Sequence, residues 1–182
     1  LWRLISYIGP ARTLLQVDAR QAAAAGRMLA AFHLLLSSLS PEDIYDPLPG
    51  FHDTPQYLVR FDALCSKHAP KNEDEEFCFA SIEQWRPLAN LLQANAANHT
   101  RQLVHADPKC SNFLFAQNSD EALSLIDLDT VRFGFLLHDL GDCLRSCCNR
   151  GGEERGHAHH FDQGCFSALL AAYLQSGGKA LL

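Results

Sequence analysis

Apolar side chains recur at helical spacing through Ala22, Ala25, Met28, Leu29, Phe32, Leu35, Leu36 and Leu39, which predicts a helix from about 19 to 38 with one face against a core. Asp18 stands before it as an N-cap, and Gln21 follows in the capping-box position. Ser40-Pro41 ends the pattern. Upstream, residues 2–8 are rich in β-branched and aromatic side chains and read as a strand stopped by Gly9-Pro10. Downstream, Pro47, Pro49 and Gly50 mark a loop before a short helix near 54–66. The acidic run from Asn72 to Glu76 reads as a solvated turn and helix start, and helical segments are expected over 75–98 with a kink at Pro87.

After residue 100 the period shortens. Gln102-Leu103-Val104, Phe113-Leu114-Phe115 and Leu123-Ser124-Leu125-Ile126 read as three short strands, the last two joined by a turn at Asn118-Ser119-Asp120. Helices are expected again at 139–149 and 158–175. A small strand cluster between helix groups, with no internal repeat, is an α+β pattern.

Composition narrows the class. The chain has 182 residues, 47% of them hydrophobic and 20% charged, and no apolar run long enough for a membrane helix, so one soluble domain is expected. A formal charge of -6 with scattered basic residues argues against a nucleic-acid partner and for a small ligand. Seven cysteines and no visible signal peptide point to free thiols in a reducing cytoplasm. The run that opens at Leu1 and the helical pattern that stops at Leu182 give both ends a truncated look.

The chemistry lies in the strand cluster. His105-Ala106-Asp107-Pro108-Lys109-Cys110-Ser111-Asn112 joins its first two strands, and Asp127-Leu128-Asp129 follows its third. Phosphoryl transfer from ATP requires a carboxylate to orient and deprotonate the acceptor hydroxyl, a cation near the moving phosphoryl, and oxygen ligands for magnesium. Asp107 suits the first role and Lys109 the second; Asn112 and Asp127 suit the metal. His105 suits a loop-holding role. The spacing His-x-Asp-x-Lys-x-x-Asn arises by chance on the order of once in a few thousand chains of this length, at average residue usage. The bland reading, a surface loop with Asp and Asn as turn formers, needs neither the His, the Lys nor the later Asp.

On Leu-Val-His-Ala-Asp-Pro-Lys-Cys-Ser-Asn-Phe-Leu-Phe, then Leu-Ile-Asp-Leu-Asp-Thr-Val, then His-Asp-Leu-Gly-Asp-Cys-Leu-Arg, the chain resembles the phosphotransferase enzyme family of aminoglycoside phosphotransferases, choline kinases and sugar 1-kinases. It looks closest to the N-acetylhexosamine 1-kinase-like branch, which Pro49-Gly50-Phe51-His52 also resembles. The resemblance implies a protein-kinase-like C-terminal lobe, mainly helical, over residues 11–182. Residues 1–10 would be the last strand of an N-terminal lobe and the hinge, with the rest of that lobe absent. It further implies ATP and Mg2+ as cofactors, adenine contacts near Tyr7 and Ile8, and a sugar or amino alcohol as phosphoryl acceptor. Without a phosphate-covering lobe, the 182 residues alone are expected to be inactive.

Two departures from the family pattern stand out: Ala106 occupies a position where Gly or Asn is usual, and Cys110 fills an apolar slot. Asp139 reads as a helix-start residue that ties the helix to the catalytic loop, whereas Asp142 and Arg145 are candidates for acceptor contact, and Asp129 for acceptor or outer metal contact. Two alternatives compete. One is a non-catalytic kinase-like binding module. The other is a haloacid-dehalogenase-like phosphatase with Asp127 as nucleophile, which needs a parallel sheet for which few residues remain. Cys143, Cys147 and Cys148 ahead of His157, His159 and His160 match no standard zinc spacing, and buried thiols beside a solvated loop are the simpler reading. His33 and His52 read as packing or loop residues.

Overall fold

A computed structural model describes residues 5–152 and 160–182. Residues 2–4 of the expected strand, His157, His159 and the first residues of the helix expected at 158–175 lie outside this range. Contacts divide the chain into two units, one of residues 1–47 with 100–182 and one of residues 48–99.

In the larger unit, α1 (Ala19–Leu36) begins at the expected capping box. The Asp18 carboxylate accepts from the Gln21 amide, and the Gln21 side chain returns to the Asp18 amide. The buried face is Ala22, Ala25, Gly26, Leu29, Ala30 and His33. Leu35 and Leu39, expected on that face, are instead exposed. Backbone bonds from Gln21 hold the Asp18 carboxyl below its usual value. A group with a depressed folded pKa stabilises fully above its unfolded value and loses that contribution as the pH falls through the folded one. Asp18→Ala should therefore cost about 1 kcal/mol at pH 7 and less at pH 3, as measured by urea unfolding at the two pH values.

Helix α6 (Gln163–Gln175) packs along α1. The two approach so closely at Gly26 that a Cβ there would lie 2.3 Å from the Leu169 carbonyl oxygen. The helix starts later than expected because Asp162 caps it, accepting from the Cys165 amide and pairing with Arg150. Around this pair the core gathers Phe113, Phe115, Leu136, Cys143 and Tyr173.

Two small sheets complete the unit. Strands β1 (Ala11–Arg12), β3 (Phe113–Ala116) and β4 (Ala122–Leu125) form one, in the order β1-β3-β4. Strands β2 (Arg101–Val104) and β5 (Arg132–Phe135) form the other, with Arg101 opposite Phe135 and Val104 opposite Arg132. Strand β5 was not expected. Its pairing is favoured by the Arg101 guanidinium, which lies 5.1 Å from the ring centres of both Phe133 and Phe135. Every named pairing among the described residues is antiparallel, which removes the haloacid-dehalogenase-like alternative.

Residues 5–8 do not form the expected strand, and Ile5 and Tyr7 are 86% and 91% exposed. Strand-forming side chains become a strand only where a neighbouring backbone pairs with them, and no described segment does so here.

The second unit holds α2 (Thr54–Cys65), α3 (Glu73–Trp85) and α4 (Leu91–Ala94), with the helical run broken at the 3-10 turn Arg86–Leu88 that contains Pro87. Arg86 bridges Asp62 and Glu83 at 2.7 and 2.5 Å. No residue of α2 or α3 is fully buried. The larger unit resumes at residue 100, and α5 (Leu136–Cys147) follows β5 directly, three residues earlier than the helix expected at 139.

Candidate active site

Strand β2 delivers His105 and Ala106 into the core side of the loop, both essentially buried, and leaves Asp107 and Lys109 half-buried beyond them. Ala106 adopts φ 69°. This is the left-handed region that favours Gly or Asn, so its unusual residue carries a local cost of about 1–2 kcal/mol. The loop is held there by α5. Asp139, fully buried, accepts from the His105 amide at 2.6 Å and the Ala106 amide at 2.7 Å. From α1, His33 Nε2 adds a third bond to the same carboxylate at 2.9 Å.

His105 is bonded to backbone groups at both ring nitrogens. Its Nε2 donates to the Ile126 carbonyl at 2.8 Å while Nδ1 accepts from the Asp107 amide at 3.2 Å, which defines the neutral Nε2–H tautomer. Thr130 Oγ1 donates to the His105 carbonyl at 2.8 Å. The Ile126 amide in turn donates to the Asn112 carbonyl at 2.9 Å. Ile126 is therefore bonded on both its backbone groups to the loop, which sets Asp127 beside Asn112.

Around Asp107 the polar groups converge. Lys109 Nζ lies 2.8 Å from its Oδ2, and Asn112 Nδ2 donates to the same oxygen at 3.2 Å and to the Asp107 carbonyl at 2.8 Å. With both side-chain bonds on Oδ2, Oδ1 is the oxygen left for an acceptor hydroxyl. Asn112, having spent its amide nitrogen, offers its carbonyl oxygen. Asp127 is exposed, sits at φ 66°, and has no side-chain hydrogen bond or ion pair among the described residues. One amide oxygen and one uncommitted carboxylate fit a hard divalent cation that keeps water and phosphate oxygens as its other ligands. No cluster of three or more His, Cys, Asp or Glu able to hold a metal occurs among the described residues.

Asp129 is exposed in the 3-10 turn Leu128–Thr130. Asp142 and Arg145 pair with each other along α5 at 2.8 Å. Tyr7 is 91% exposed and Ile8 39%, on a segment without regular structure. Cys143 and Cys147 approach to 4.0 Å, and all seven cysteines are free. Burial pushes the thiols of Cys148 and Cys165 up to about 11, so they are poor metal ligands and nucleophiles at neutral pH. His160 is exposed.

Asp139 was legible as a helix-start residue and His33 as a packing or loop residue, but the bond between the two was not foreseen. The signal existed: His33 continues the buried stripe Ala22, Gly26, Leu29 at intervals of three and four, where a polar residue must find a partner.

Antiparallel strands that present this loop, backed by helices that bond to it, define a kinase-like α+β class. The crystal structure of an aminoglycoside-3'-phosphotransferase of type VIII shares the fold, with a TM-score of 0.52 and 22% identity over 93% of this chain and 59% of that one. The present chain therefore spans 59% of that protein's length. The chain belongs to the phosphotransferase enzyme family, whose model matches residues 1–175. No helix among the described residues is long and apolar enough to cross a membrane.

Proposed function

We propose that this chain carries the catalytic loop of an ATP- and magnesium-dependent kinase that phosphorylates a hydroxyl of a small molecule, a sugar or amino sugar by preference. The observation that carries the reading is the Asp107 carboxylate, fixed through one oxygen by Lys109 and Asn112 and open at the other. Asp107 orients the acceptor hydroxyl and takes its proton as the oxygen attacks the γ-phosphorus and the bond from that phosphorus to the β–γ bridging oxygen breaks, releasing ADP. Lys109 then turns from Asp107 toward the charge that spreads over the phosphoryl oxygens. Asn112 and Asp127 would hold magnesium, which neutralises the nucleotide phosphates when bound. Tyr7 and Ile8 would lie at the adenine end, with residues 1–10 as hinge and residues 11–182 as C-terminal lobe. Asp129, Asp142 and Arg145 are the groups offered to the acceptor or to water around the metal. Family membership supports phosphoryl transfer, and the free thiols suit a reducing cytoplasm.

The direct test supplies the intact protein with ATP, magnesium and a panel of sugars, amino sugars and amino alcohols, and follows ADP release. Acceptor-dependent release is expected for the hexosamines first. Release that no acceptor raises above background, across the panel, would remove the kinase reading. For the metal, Asp127→Ala should weaken magnesium-dependent nucleotide binding by about tenfold or more, because an anionic ligand of a divalent cation is lost. Asp129→Ala should do less. Calorimetric titration with and without magnesium separates the two, and equal losses would take Asp127 out of the metal role.

A further inference from the structure

Tyr173 lies in α6, far in sequence from the loop, yet it is fully buried and its hydroxyl stands 2.9 Å from His33 Nδ1. The two rings meet edge to face with centres 5.7 Å apart. Space for the tyrosine ring is built in at Gly178, where a Cβ would fall 2.3 Å from Tyr173 Cε1. On its other side His33 meets Asp139, and its carbonyl accepts from Gln102 Nε2 of β2 at 2.8 Å.

A carboxylate only accepts, so the hydrogen between His33 and Asp139 belongs to Nε2. In the neutral ring Nδ1 is then an acceptor, and the phenol hydroxyl is the donor that meets it. Burial, and next the nearby Asp139 charge, push the Tyr173 phenol well above its usual value and keep that donor protonated. The imidazole is thus pinned at both nitrogens. Without the hydroxyl it would pivot about its single remaining bond, and Asp139 would tip with it. Both oxygens of Asp139 hold loop amides, so the movement would reach the backbone that ends at Asp107.

We infer that Tyr173 is a positioning residue of the catalytic loop, its hydroxyl fixing His33, His33 fixing Asp139, and Asp139 fixing the backbone of His105 and Ala106. Only the kinetic consequence of this inference rests on the phosphotransferase reading.

The test is Tyr173→Phe in the intact protein, compared with Leu169→Val, a buried α6 neighbour whose side chain makes no polar bond. Amide hydrogen exchange at His105 and Ala106 should quicken by about tenfold in Tyr173→Phe but not in Leu169→Val, even where the two lose equal Tm. Turnover should fall by about tenfold with the KM for ATP unchanged, since a small displacement of the loop misplaces the base without removing a binding group. Exchange at the two amides that is unchanged, or equal in both variants, overturns the inference. Absence of turnover even in the wild-type protein would sink the kinase reading while the exchange data still decide the positioning. If Tyr173→Phe fails to fold, 3-fluorotyrosine at the same position supplies a stronger donor. A shifted His33 Nδ1 nitrogen resonance then supports the contact, and an unmoved one overturns it.

Discussion

Asp107→Asn should lower turnover by about two to four decades while nucleotide binding and folding persist, the share expected of a positioned acid–base group. The substitution is nearly isosteric, and the Lys109 and Asn112 side chains that now meet Oδ2 would still find a polar partner if the new amide oxygen took that place. What disappears is the negative charge that draws the acceptor proton. Substrate saturation should change little, because Asp107 acts on the transferring proton rather than on ATP, so the loss should fall on kcat. The measurement is steady-state ADP release with the best acceptor from the panel, beside nucleotide titration of the same variant. Turnover within a factor of about three of the unsubstituted protein would take Asp107 out of the base role.

The largest effect on stability is expected from Asp139→Ala. The carboxylate accepts three buried donors, from His105, Ala106 and His33, and has no exposure through which water could replace it. Each buried donor left without a partner costs about 1–3 kcal/mol, and breaking one side of a buried charged network typically costs about 3–5 kcal/mol in all. Set against a total stability of about 5–15 kcal/mol, that loss leaves the protein marginal. The strained Ala106 adds to the argument, since its left-handed backbone is held in place by one of the three bonds. Asp139→Asn should be milder: its amide oxygen still accepts, but its nitrogen would face a donor. Urea unfolding ranks the three proteins, and a loss below about 1 kcal/mol for Asp139→Ala would show that the network is not what secures the loop.

The loop proposed to be catalytic stood out in the sequence because phosphoryl transfer demands particular side chains at short spacing, and short spacing survives folding. Asp107, Lys109 and Asn112 fall within six residues, and the loop brings the three together with little help from elsewhere. Helix α1 was legible for a similar reason: its cap, its stop and its period are local. Strands were less so. Residues 5–8 have strand composition but no pairing strand among the described residues, whereas Arg132–Phe135 has an unremarkable pattern and becomes β5 because β2 lies opposite.

By itself, then, the amino-acid order determined which polar groups the loop carries, the α+β class and the principal helix, since each depends on residues a few positions apart. Only the tertiary structure decided which groups hold that chemistry still. His33 and Asp139 are 106 residues apart and His33 and Tyr173 are 140 apart, and they meet because α5 and α6 both pack against α1, α6 closing on it at Gly26. Burial makes those contacts obligatory, since a polar group withdrawn from water must find its partner within the protein. Which partner it finds depends on the packing of whole helices, which no local pattern specifies.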